Sequence, residues 1–152
     1  MPPANERTVP VDDGLWLDGP DGPRLVGSRC APCGAVTFPR QAGCPRCASE
    51  DLSDAPLARR GTLWTWTVQR FPPPTPPYTG PRDDDFEPFG VGYVELAEGV
   101  RVEARLTESD PQTLAIGMEM ELVLEPFGTD ADGRTVVTFA FAPVGADGPG
   151  GP

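Results

Sequence analysis

Histidine and lysine are both absent from this sequence of 152 residues. Without imidazole there is no Ser-His or Cys-His nucleophile pair, no histidine general base and no histidine metal ligand. The twelve cations are therefore all arginine, and they face 23 carboxylates, for a net charge of −11. That balance disfavours a broad nucleic-acid surface, which depends on many cationic phosphate contacts. It equally disfavours attraction to an anionic membrane. Long apolar runs are also lacking, and none approaches the roughly 20 residues that cross a bilayer. The opening stretch MPPANERTVP has neither the charged n-region nor the apolar h-region of a secretory signal. The expected compartment is the cytoplasm.

Proline (21) and glycine (18) make up about a quarter of the chain, which points to a loop-rich β protein and away from a helical bundle. The cysteines are four, and all lie within 18 residues: Cys30, Cys33, Cys44 and Cys47. The spacing is C-x2-C-x10-C-x2-C. Two-residue spacing lets one tight turn aim both sulfurs at a point, and two such knuckles supply a tetrahedral set of thiolates for zinc. Pro32 and Pro45 suit the tight turns, and Gly34 stands where a knuckle needs positive φ; Ala48 holds the matching place in the second knuckle. Disulfides conflict with a reducing compartment, and a redox C-x-x-C belongs at a helix start in an α/β context that is missing here. Iron or an iron–sulfur cluster uses the same ligand set, and spacing does not separate it from zinc. The reading adopted is structural zinc, with no coordination position left open for chemistry.

Period-two alternation marks the strands that follow. In GTLWTWTVQR (61–70), Trp64, Trp66 and Val68 are expected to share one side. FGVGYVELA (89–97) and VRVEARL (100–106) form a hairpin around Glu98-Gly99, with Val100, Val102, Ala104 and Leu106 inward and Arg101, Glu103 and Arg105 outward. A short helical turn is expected over 109–117. MEMELVLEP (118–126) and TVVTFAFA (135–142) supply the fourth and fifth strands around the DADGR turn. Five strands in this order fit an OB-fold barrel, although another small barrel would also use five. The expected organisation is an N-terminal arm at 1–27 with a short helical or irregular segment, a zinc ribbon at 28–57, the OB-fold at 58–144 and a disordered tail at 145–152.

The first two barrel strands are joined by FPPPTPPYTGPRDDDFEP (71–88), with seven prolines and four acidic residues. Loops of this length are commonly functional or disordered. Pro72 to Pro77 favour stiff polyproline II. Asp83-Asp84-Asp85 lacks EF-hand spacing and reads as a solvated acidic run.

Taken in order, C-A-P-C-G (30–34), T-F-P (37–39), C-P-R-C (44–47), R-G-T-L-W-T-W-T-V (60–68), G-Y-V-E-L-A-E-G-V-R-V (92–102) and I-G-M-E-M-E-L-V (116–123) resemble a known family. Its members join an N-terminal, rubredoxin-like zinc ribbon to a C-terminal OB-fold and occur beside thiolase-like acyl-CoA enzymes. The resemblance covers roughly residues 12–144. It implies an accessory subunit that binds thiolases, ketoacyl-CoA synthases or thiolase-like aldolases, including the small subunit of steroid side-chain aldolases. It also implies a barrel that receives an acyl-CoA arm at a boundary shared with the partner. Two features depart from the family pattern. An amphipathic aromatic helix is usual before the ribbon, whereas residues 12–23 are broken by Gly and Pro. The 71–88 loop is also longer and more acidic than usual.

The expected function is thus a non-catalytic subunit of a thiolase-like complex, with a steroid side-chain retro-aldolase as the specific expectation. A stand-alone acyl-CoA-binding protein is the alternative, and single-stranded nucleic-acid binding ranks below it. Candidate interface residues are Trp16, Phe38, Phe71, Tyr78, Phe86 and Phe89. Candidate CoA contacts are Arg59, Arg60 and Arg70, with Arg101 and Arg105 on the outer face of one strand. No residue is assigned a catalytic role.

Overall fold

A computed structural model describes residues 8–75, 78 and 80–145. The start of the arm, Pro76 and Pro77 of the proline run, and nearly all of the tail read as disordered lie outside the described residues. The described residues form ten strands: β1 (Thr8–Pro10), β2 (Trp16–Gly19), β3 (Gly22–Cys30), β4 (Val36–Thr37), β5 (Leu52–Pro56), β6 (Arg60–Gln69), β7 (Phe89–Leu96), β8 (Arg101–Leu106), β9 (Glu119–Thr129) and β10 (Thr135–Pro143).

β6 to β10 close the barrel. β7 pairs antiparallel with β6 and with β8. β8 runs parallel to β10, β10 pairs antiparallel with β9, and β9 returns to β6. Closure removes the strand edges and encloses a single interior. Val94, Leu96, Val100, Val102, Ala104, Leu106, Met120, Leu122 and Phe141 fill it. The alternation of VRVEARL is realised as read. The short helical turn expected over 109–117 is a single one, in which the Thr113 and Leu114 amides donate to the Asp110 carbonyl, and Leu114 plugs the core.

Strand β6 departs from the alternation expected of it. Leu63 pairs with Val94 and Thr65 with Tyr93, so Trp64 is an extra residue opposite the β7 ladder. This β-bulge breaks the period. Leu63 is fully buried and Trp66 packs against the core, while Trp64 stands outside, 46% exposed. Trp64 and Trp66 therefore do not share a side.

The N-terminal arm is the second departure. Where a short helical or irregular segment was expected, β2 and β3 form a hairpin with Trp16 opposite Leu25 and Gly19 opposite Gly22. Pro20-Asp21 is the loop, and Gly22 takes φ 112°, a value that a side chain would resist. The two Gly-Pro steps thus mark one tight turn between strands. β3 continues into the ribbon, where it pairs with β4 and β5, and β1 adds in parallel to β10.

Ribbon and barrel share their apolar interior. Leu25 of β3 and Leu57, just after β5, are fully buried in the same cluster as the barrel residues, with Trp16, Val36 and Phe38 packed against it. The Phe38 ring meets Phe139 edge to face at 5.6 Å. Polar groups span the same seam. The Arg59 guanidinium donates to the Pro23 carbonyl at 3.1 Å and to the Leu122 carbonyl at 3.3 Å. The Ala58 amide donates to the Glu98 carboxylate at 3.1 Å. A shared core predicts shared unfolding. Leu57→Ala is expected to lower stability by about 2–5 kcal/mol, with tryptophan fluorescence and metal release reporting one coincident denaturant transition. Two separated transitions would contradict this packing.

Candidate metal centre and functional surfaces

The sulfurs of Cys30, Cys33, Cys44 and Cys47 all lie within 4.8 Å of one another. Cys30 and Cys47 approach to 3.5 Å, and Cys33 and Cys44 to 3.6 Å. Four sulfurs each about 2.3 Å from a tetrahedral zinc stand about 3.8 Å apart, so the set fits this ion. Two matched turns bring them together. The Gly34 amide donates to the Cys30 carbonyl, and the Ala48 amide donates to the Cys44 carbonyl, both at 2.8 Å. Gly34 has φ 75° and Ala48 has φ 65°. The second knuckle therefore adopts the same left-handed turn as the first, without glycine.

The thiols are electrostatically unequal. The backbone N–H of Cys47, with that of Arg46, draws the Cys44 thiol down to about 6, against the effect of burial. At Cys30 the Cys33 amide favours the thiolate. Burial and the neighbouring thiols outweigh it and push the group up to about 12. Four thiolates at this spacing need a divalent cation to coexist. Zinc held by these four cysteines would supply that charge and cross-link the two knuckles, and four sulfur ligands would leave no position for substrate.

Around the barrel, the six candidate interface aromatics have four different fates. Trp16 and Phe38 join the ribbon–barrel seam. Tyr78 is buried: its ring meets Phe127 at 6.4 Å, and its hydroxyl donates to the Pro81 carbonyl at 2.9 Å. Phe86 and Phe89 are half-buried against each other. Phe71 is 70% exposed. The loop is held by its own polar groups, since Thr75 Oγ1 donates to the Tyr78 carbonyl and the Arg82 guanidinium donates to the Pro73 carbonyl. It covers a cavity of about 520 Å³ lined by Tyr78, Phe89, Arg105 and Phe127, with Asp85 and Glu87 at its acidic side.

The candidate CoA arginines are mostly engaged. Arg59 serves the seam. Arg60 pairs with Glu119 and Glu121, Arg101 with Glu95 at 2.9 Å, and Arg105 with Glu125 at 3.1 Å. This last contact is close but misdirected, leaving the buried Arg105 Nε and Glu125 Oε1 without a well-formed hydrogen bond. Burial raises the Glu125 carboxyl above its ordinary range, and Arg105 opposes the shift. The Arg105 guanidinium also stacks 4.2 Å from the Phe89 ring centroid. Arg70 is exposed, with no side-chain partner among the described residues.

Sequence reading missed Phe127 and Phe139, which hold the loop and the ribbon against the barrel. Phe139 was legible as an inward position of the last strand. Phe127 follows the proline that ends the recognised pattern of β9, so no periodic signal marked it.

Two outcomes are expected at the metal centre. The purified chain binds one zinc, and Cys33→Ser abolishes stoichiometric binding by elemental analysis while lowering barrel stability through Leu25 and Leu57. Retained stoichiometric metal would contradict the ligand assignment. Ala48→Gly relieves a left-handed alanine and raises stability by about 1 kcal/mol, read from thermal unfolding of the zinc-bound chain. A loss of stability would contradict the strain at Ala48.

Residues 17–53 match the family described as ChsH2, rubredoxin-like zinc ribbon domain, and residues 54–125 match ChsH2, C-terminal OB-fold domain. A DUF35 domain-containing scaffold protein of Pyrococcus furiosus is 32% identical over 122 residues, which are 80% of this chain and 84% of that protein. Benzoylsuccinyl-CoA thiolase subunit BbsA of Thauera aromatica is 30% identical over 126 residues, 78% of this chain and 76% of that one. Among solved structures, a chain of the Ltp2-ChsH2(DUF35) aldolase superposes with a TM-score of 0.54 at 29% identity, covering 77% of this chain and 84% of that chain. The present chain belongs to the DUF35 family, in which a zinc ribbon of the ChsH2 type leads into an OB-fold.

Proposed function

We propose that this chain is a non-catalytic subunit of a thiolase-like acyl-CoA enzyme that makes or breaks carbon–carbon bonds. The observation that carries the reading is likeness along most of the chain to a protein named as a thiolase subunit and to a chain from an aldolase complex. The specific reaction proposed is steroid side-chain retro-aldol cleavage of a CoA thioester in the cytoplasm, where the thiols stay reduced for the metal. Phe71 is the interface candidate left exposed, at the entry of a proline-stiffened loop that loses little entropy on docking.

Stand-alone CoA binding is the weaker reading. Among its candidate cations, Arg59, Arg60, Arg101 and Arg105 are already engaged by carbonyls or carboxylates, and the net charge of −11 repels the ligand. A shared site, with the partner supplying the cations, meets neither objection. The test is a pull-down of the tagged chain from its own host, with mass spectrometry of the proteins that co-purify. A stoichiometric thiolase-fold protein is the expected result. A zinc-bound monomer without such a partner would overturn the proposal.

A further inference from the structure

The bulge in β6 has an effect that packing alone does not account for. It removes a tryptophan from the barrel interior and sets it on the outer face of β6–β7–β8, 46% exposed. An exposed tryptophan forgoes burial worth a few kcal/mol, and bulges commonly re-aim side chains at working surfaces. Trp64 is not loose there. Its ring meets Tyr93 edge to face at 6.3 Å, and the Arg101 guanidinium lies 4.0 Å from its ring centroid. Arg101 is itself fixed by Glu95 at 2.9 Å, and the Tyr93 hydroxyl donates to Glu103 at 3.3 Å. Tyr93 is 38% exposed.

Trp, Tyr and Arg are the side chains that most often carry binding energy at protein interfaces. Here the three are ordered before any partner arrives, which reduces the entropy lost on docking. The Gly117 amide donates to the Leu63 carbonyl at 2.7 Å, so the backbone next to Trp64 is tied to the backbone next to Ile116, a second apolar residue left 71% exposed. The rim is acidic. Glu95 is matched by Arg101, whereas Glu103 has a hydroxyl partner and, among the described residues, no cation.

We propose that this face, centred on Trp64, Tyr93 and Arg101, docks the thiolase-like partner through an apolar segment rimmed by arginine or lysine. The inference rests on the subunit reading above and adds the face and the chemistry of the element that covers it. Charge complementarity chooses the occupant, because an anionic nucleotide would meet Glu103 and an arginine already neutralised.

The test uses the full zinc-bound chain and the thiolase-like protein that co-purifies with it. Trp64→Ala is expected to weaken the complex roughly 30-fold, the scale of an interface hot spot. Because Trp64 stands outside the core, the variant keeps its zinc and its fold, which metal content and a cooperative thermal transition report. Glu103→Arg is expected to lower the association rate and reduce its dependence on salt. A complex that forms with parental affinity and rate in both variants overturns this inference and leaves the subunit reading standing. Failure to obtain any thiolase-like complex overturns both. CoA titrated against the free chain is expected to leave tryptophan emission unchanged. Saturable quenching that disappears in Trp64→Ala would instead make this face a nucleotide site and overturn the proposal.

Discussion

The burial of Leu25 and Leu57 in the barrel's interior is the contact on which the rest of the molecule depends. A ribbon of some thirty residues cannot build a core of its own, so metal and a borrowed core share the task. The four thiolates fix the knuckles at one end. At the other, Leu25, Leu57, Trp16 and Phe38 are covered by the barrel, and Arg59 closes the polar groups along the seam. The two matched segments are therefore one packed body. These side chains are the route by which loss of zinc would reach the barrel.

Surface charge follows from the same economy. The arginines of the barrel face lie beside carboxylates, and exposed pairs of this kind add little stability. What they do is hold long side chains still. Arg101 is kept over Trp64 by Glu95, and Arg105 over Phe89 by Glu125. The outer face is thereby pre-ordered while the chain as a whole remains strongly acidic, a combination suited to a basic protein surface and poorly suited to free anionic ligands.

The zinc ligands were fully legible in the sequence, because tetrahedral coordination dictates both residue type and spacing. The barrel strands were legible wherever one face is buried, as in Val100, Val102, Ala104 and Leu106. Three features were not. The bulge at Leu63–Trp64 breaks the period that sequence reading relies on, and the regular Trp-Thr-Trp-Thr run at 64–67 hides the break. The β2–β3 hairpin was hidden by glycines and prolines that read as helix breakers, although Gly-Pro-Asp-Gly is itself a turn signal. Tyr78 was legible as an aromatic on a stiff loop. Its inward turn onto Phe127 depends on a residue nearly fifty positions away, and local pattern carries no information about such a contact.

The central claim is that this chain works as a fixed-shape subunit of a larger acyl-CoA enzyme. Native mass spectrometry of the assembly isolated from its host tests it most directly. The account predicts a heteromer in which each copy of this chain carries one zinc and is matched by a thiolase-fold subunit. A zinc-loaded chain found at its own mass of 16.2 kDa, beside a thiolase-fold protein complete without it, would contradict the account.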